Sequence, residues 1–253
     1  MIENPRVIPV LLLKNSGLVK TVQFKNPVYV GDPINAVKIF NDKEVDELIF
    51  LDITAGITKK GPPLKLIADI AGECFMPLCY GGGIKNIEQI REILNLGVEK
   101  VSINTHAAKN SGFIREASEK FGSSTIVVSI DVKKNFFGKY EVFSDSGKTK
   151  TDPVKFAVEM NKCGAGELLL NSIDRDGTMN GYDLELLKKV SSEVDIPVVA
   201  CGGAGNLQHF KSAIQLGGAS AVAAGSMFVF HGPHKGVLIS YPSQEELKKT
   251  FNN

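Results

Sequence analysis

The sequence predicts an α/β protein with a (β/α)8 barrel fold, built from two related half-barrels. Three observations predict it. Short apolar strand candidates alternate with amphipathic helix candidates along the chain. Eight such pairs fit within 253 residues, a usual length for this architecture. The chain also repeats itself at a fixed offset. Glu47-Leu48 matches Glu167-Leu168, Pro77 matches Pro197, Gly82-Gly83 matches Gly202-Gly203, Asn86 matches Asn206, and Leu96-Gly97 matches Leu216-Gly217, each pair 120 positions apart. A constant offset over several elements marks a duplicated unit.

The strand candidates, in order, are Arg6–Leu13, Glu47–Ile53, Pro77–Tyr80, Lys100–Asn104, Thr125–Asp131, Glu167–Asn171, Pro197–Cys201 and Ser220–Ala224. They are β-branched or apolar with little polar alternation, as expected of parallel strands covered on both faces. Helical spacing joins Ile87, Ile90, Ile93 and Leu94, then Leu184, Leu187 and Val190, then Leu207, Phe210, Ala213 and Ile214. Asn86 and Asn206 stand at N-cap positions. Phe136–Lys148 is expected to form a β-hairpin after the fifth strand, and Lys14–Asp32 a long loop after the first. No linker-like run divides the halves, so residues 1–253 are expected to form one domain.

Composition narrows the function classes. The net charge of +1 gives no basic excess for nucleic acid. No apolar run reaches the roughly 18 residues that a membrane span needs, and the N-terminus lacks a signal-peptide layout. Cys74, Cys79, Cys163 and Cys201 show no metal-ligand spacing and read as reduced thiols. A soluble, cytoplasmic protein without metal or cofactor is the expectation.

The chemistry gathers at strand-to-helix turns. Gly82 and Gly83 follow the third strand, and Gly202 and Gly203 the seventh. Glycines there let backbone N–H groups close on an anion. Asn104-Thr105 after the fourth strand and Gly225-Ser226 after the eighth bring hydroxyl-bearing turns beside them. Glycines also make plain tight turns, but two such pairs point to a ligand with a phosphate at each end.

The motifs LDITAG, YGGGIKN, KVSIN, VVSIDVK, DRDGTMNGYDLEL and CGGAGNLQHF resemble those of the HisF family, the cyclase subunit of imidazole glycerol phosphate synthase, from Arg6 to about Phe230. The resemblance implies a HisH-like glutaminase at the N-terminal face and ammonia passing through the barrel to a bis-phosphate substrate. It implies catalytic aspartates ending the first and fifth strands. Here VIPVLLLK puts Leu12 at the first of these positions, while Asp131 keeps the second. Leucine transfers no proton, and the expected consequence is an impaired cyclase with an unpaired Asp131 of raised pKa.

Side-chain alternation points Cys79, Asn171 and Cys201 into the lumen, where the family has Thr or Ser. It also points Arg6, Glu47, Lys100 and Glu167 inward at the opposite end. These four match the family's ammonia gate and have the charges for a ring of ion pairs; a purely stabilising plug is the alternative. Lys20 matches the family's mobile-loop lysine. Asp176 and Gly177 join the expected phosphate-binding set. His106, His209, His231 and His234 lack the company of metal ligands.

The segment AVAAGSMFVFHGPHKGVLISYPSQEEL resembles a HisF-like branch sometimes called WbuZ. That likeness implies ammonia supply to a separate sugar amidotransferase making acetamidino sugars for surface polysaccharides. Three readings therefore stand at this point: an ammonia-delivering subunit, an authentic cyclase of histidine biosynthesis, and a non-catalytic scaffold for the glutaminase.

Overall fold

The computed structural model describes residues 5–58, 60–144 and 147–252. Eight parallel strands close on themselves: β1 Arg6–Lys14, β2 Leu48–Asp52, β3 Leu78–Gly81, β4 Lys100–Ile103, β5 Ile126–Lys134, β6 Glu167–Ser172, β7 Val198–Cys201 and β8 Ala221–Ala224. Each pairs with the next, and β8 returns to β1 through Arg6↔Ala221 to Pro9↔Ala224. Helices run between the strands, so the expected (β/α)8 barrel is the observed fold. Among the described residues, no helix is long and apolar enough to cross a membrane.

Two apolar layers form because each strand buries both faces. Outward side chains such as Phe50 and Tyr80 pack against helix residues such as Phe40 and Phe210. Inward side chains fill the lumen: Ile8, Val10, Ile49, Cys79, Val127, Leu169, Val199, Ala221 and Ala223, with Leu12, Leu51 and Cys201 at the upper edge. The lumen is therefore a packed core, open to polar chemistry only at its two ends.

The 120-residue offset extends beyond the motifs to the helix starts. Helix Pro33–Asp42 starts at Asp32, whose carboxylate accepts the Asn35 N–H; helix Pro153–Lys162 starts at Asp152, whose carboxylate accepts the Val154 and Lys155 N–H groups. In both, proline holds the first helical position, where no N–H is missed. Asn86 and Asn206 cap helices Ile87–Asn95 and Leu207–Gln215 in the same way.

Lys14–Asp32 is not a loop. Gly17–Val22 pairs antiparallel with β1, and Lys25–Gly31 pairs with Gly17–Val22. The two turns have two residues each, Asn15-Ser16 and Gln23-Phe24, and all four residues have positive φ. That is the turn geometry whose twist suits a hairpin. Without Asn-Gly or Asp-Gly the signal is weak in the sequence. The second insert is a hairpin, but its first leg is β5 itself, which runs on to Lys134 and pairs with Tyr140–Ser144. Phe136 and Phe137 lie at its turn; residues 145 and 146 of the expected insert lie outside the described residues.

Removing either matching cap should cost similar stability. Asp32→Ala and Asp152→Ala should each lower the unfolding free energy by about 1 kcal/mol. The losses should add in the double variant, since the caps sit on separate helices. Urea unfolding of the four proteins checks both statements.

Candidate functional site

The N-terminal mouth holds four charges. Arg6 donates to both Glu47 and Glu167. Lys100 Nζ lies 2.9 Å from Glu47 Oε2 and 3.2 Å from Glu167 Oε2. Two cations thus alternate with two carboxylates in a closed, neutral ring. Glu47 and Glu167 are buried. Burial works against the charges of Arg6 and Lys100, yet their pairing with Glu167 and Glu47 outweighs it and holds both pKa values above the ordinary range. Burial, reinforced by Glu47, pushes the Cys79 thiol well up, so it stays neutral. Above it the lumen is apolar apart from a few hydroxyls. The buried Ser102 Oγ, between Lys100 and Asn104 on β4, has no hydrogen-bond partner among the described residues.

The C-terminal mouth is divided in two. On one side Asp131, Asn171 and Cys201 stand in register on β5, β6 and β7. Asn104 Nδ2 donates to Asp131 Oδ2 at 3.0 Å and to Ser129 O at 2.9 Å; Asn171 Nδ2 donates to Asp131 Oδ1 at 2.9 Å. On the other side Leu12 and Leu51 are paired on β1 and β2. Leu12 and Leu51 hold, in the first half-barrel, the places of Asp131 and Asn171 in the second. The expected unpaired Asp131 is corrected here in its hydrogen bonding: both of its carboxyl oxygens accept amide donors.

The glycine turns are required by packing. Gly82 has φ +128°, and a Cβ there would come within 2.5 Å of Asp52 O; Gly203 has φ +111°, and its Cβ would come within 2.2 Å of Gly181 O. Their neighbours Gly83 and Gly202 also have positive φ. The structure brings second-half residues together with Lys20. Lys20, Asp176, Gly177, Gly202, Gly203, Gly225 and Ser226 line one cavity of about 40 Å³, with Leu12 and Cys201 in its wall. Asn104 and Thr105 follow β4 beside the first glycine pair; Thr105 Oγ1 lies 3.3 Å from Asn104 Oδ1.

Lys20 is part of the hairpin, not of a loose loop. Its side chain is buried, and Nζ donates to Val10 O. Gly225 leaves it room, since a Cβ there would lie 2.4 Å from Nζ. The hairpin is fastened across the mouth: Gln23 N–H donates to Asp176 O at 2.9 Å, and Thr21 Oγ1 lies 3.3 Å from Asp176 Oδ2. Sequence reasoning missed Thr21 and Gln23 because it read this segment as a loop. It could have found Leu51 beside Leu12 by applying the repeat offset to Asn171.

Burial pushes the Lys20 ammonium down to about 8, and the attraction of Asp176 only partly offsets this. Burial raises the Asp176 carboxyl, with Lys20 opposing. Burial, with the Asp176 and Asp131 carboxylates, pushes the Cys201 thiol up to about 12. A thiol so held is protonated and a poor nucleophile. His106 packs edge-on to Phe113 at 4.5 Å, and His209 Nδ1 accepts the Gly205 N–H at 3.1 Å. Among the described residues no group of three or more His, Cys, Asp or Glu is placed to hold a metal ion.

The Lys20 shift sets a pH dependence. The folded state releases this proton near pH 8, whereas the unfolded chain holds it to the ordinary value of 10.5. Between these values the unfolded state binds more protons, so the contribution of Lys20 makes stability rise with pH. Lys20→Met should flatten that rise. Urea unfolding from about pH 8 to about pH 10 checks it, and an unchanged slope in the variant would contradict the assignment.

The comparisons with known proteins agree with this geometry. Residues 6–234 match the family model described as "Histidine biosynthesis protein". A Pseudomonas aeruginosa protein with the provisional name imidazole glycerol phosphate synthase subunit hisF2 is 55% identical over 244 residues, covering 96% of this chain and 97% of its own. A Leptospira interrogans protein, provisionally named as the HisF subunit of the same synthase, is 51% identical over 253 residues, covering 98% of each chain. The imidazole glycerol phosphate synthase subunit HisF of Chloroherpeton thalassium is 45% identical over 227 residues, covering 89% of this chain and 90% of its own. With its closed barrel, its ring of four charges and these matches, the chain belongs to the histidine biosynthesis protein family, among its HisF-type members.

Proposed function

We propose that this chain is the barrel subunit of a glutamine amidotransferase. It pairs in the cytoplasm with a HisH-like glutaminase, receives ammonia at the Arg6–Glu47–Lys100–Glu167 ring, and delivers it through the lumen. One observation carries the proposal: the four-charge ring is complete at one mouth, while at the other Leu12 and Leu51 stand where the second half-barrel has Asp131 and Asn171. The entrance keeps the parts for ammonia, and the exit has lost a partner for acid–base chemistry with Asp131.

The lumen suits this cargo. Neutral ammonia crosses an apolar core without the desolvation cost that an ammonium ion would meet. Opening the ring requires a shift of long side chains on Arg6 and Lys100, both partly exposed at the surface. At the exit, Lys20 with the Gly202, Gly203, Gly225 and Ser226 turns forms a cradle for a phosphate-type anion; Gly82, Gly83, Asn104 and Thr105 form its counterpart. Asp176 and Gly177 hold the Lys20 hairpin in place. Nitrogen transfer to a sugar, through a separate sugar amidotransferase, is favoured by the resemblance of the last third of the chain to the WbuZ branch. An authentic cyclase is the second reading, favoured by the retained Asp131 with its amide partners and by the likeness to the Chloroherpeton thalassium subunit. Under the scaffold reading the barrel would only support its glutaminase.

Plugging the lumen tests delivery. Ser102→Phe adds bulk to the lumen between the ring and the mouth. In the complex with its glutaminase and acceptor enzyme, glutamine-driven nitrogen transfer should fall about tenfold or more. Transfer driven by ammonium salt and assembly of the complex should both persist. Undiminished glutamine-driven transfer would reject passage through the barrel.

A further inference from the structure

The exposed apolar side chains are distributed unevenly. Among the described residues, only Phe75 and Leu216 lie in connections at the N-terminal ends of strands. All the other exposed large apolar side chains stand at the C-terminal mouth, in connections that follow β1, β2, β5 and β8. Tyr29 is 66% exposed on the first hairpin, Ile57 71% after β2, and Leu238 56% after β8. Across the mouth, Phe136 and Phe137 are 96% and 83% exposed at the tip of the second hairpin, edge-to-face at 5.6 Å. Burial inside this chain accounts for none of them. An apolar rim of this kind marks a surface that another molecule covers.

The charges of the same connections point the same way. Lys25, Lys139 and Lys235 in those connections, with Lys85 after β3, are exposed and form no ion pair among the described residues. The nearby carboxylates are already engaged: Asp52 caps the Thr54 and Ala55 N–H groups, and Asp174 accepts the Lys134 N–H. The rim thus offers apolar contacts and free positive charge around the lumen's exit.

We propose that the C-terminal mouth is the docking surface for the nitrogen-accepting enzyme, a protein partner with an apolar face and an acidic border. This rests on the delivery reading above. Ammonia released into neutral water is almost wholly protonated and loses its nucleophilicity, so an exit that hands it on must be sealed from water. A lipid surface fits less well, because the apolar groups stand at the lumen's exit and a membrane offers no acceptor there.

The test uses the full barrel–glutaminase complex in its native host. Phe137 is replaced by photoreactive benzoylphenylalanine, with Glu119 on the helical wall replaced likewise as the control. Irradiation should link position 137, and not position 119, to an enzyme that aminates its own substrate. With that enzyme purified, Phe136→Ser/Phe137→Ser should weaken its binding to the complex about tenfold or more, and added salt should weaken wild-type binding further. Glutamine-driven amination should drop in parallel, with ammonium-driven amination retained. Cross-linking to a second copy of this chain would overturn the proposal. So would flotation with phosphatidylserine vesicles without a protein cross-link, or binding indifferent to the double variant. Binding is read without glutamine. The docking surface therefore stands or falls separately from passage through the lumen.

Discussion

Glu47 and Glu167 are buried at the N-terminal mouth, and the cations between them balance their charge. Arg6 bridges the two carboxylates from one side and Lys100 from the other. Removing either cation would leave the buried carboxylates short of one positive charge, which destabilises this end of the barrel. The ring also ties β1, β2, β4 and β6 together at one level and closes the foot of the barrel. An apolar plug of the same volume would do that as well or better. A ring that side-chain motion can open fits the proposed passage of ammonia.

The other mouth follows the same two-fold plan and departs from it in one place. Asp131 and Asn171 have Leu12 and Leu51 as their counterparts in the repeat, so the change is confined to one half of a symmetrical frame. The surviving carboxylate is organised: Asn104 and Asn171 fix both of its oxygens. What is gone is a second group able to carry a proton from the opposite side. Lys20, on its fastened hairpin, lines the same cavity as Leu12 and stands among the glycine turns.

The barrel was legible in the sequence because its signals are redundant. Eight apolar runs, the cap asparagines and the 120-residue offset each point to the same closed sheet. The four ring residues were legible by counting in twos along strands whose inward face was known. The hairpin carrying Lys20 was not, because Asn15-Ser16 and Gln23-Phe24 adopt positive φ without the glycine that usually announces it. The amide partners of Asp131 were not, because hydrogen bonds between neighbouring strands depend on register, and a one-residue slip would separate them. The exposed rim of Tyr29, Ile57, Phe136, Phe137 and Leu238 is invisible to any periodicity, since it is assembled from connections far apart in the chain.

On the proposed reading, Leu12 takes this barrel out of cyclase chemistry while its architecture persists. The most direct measurement is turnover of the bis-phosphate substrate of imidazole glycerol phosphate synthase, with saturating ammonium, by the natural protein and by Leu12→Asp. The account predicts that the natural protein is slower than a working cyclase by a factor of about 10²–10⁴, and that Leu12→Asp recovers activity. Turnover by the natural protein at ordinary enzymatic rates would contradict it and make this chain a cyclase with a different acid.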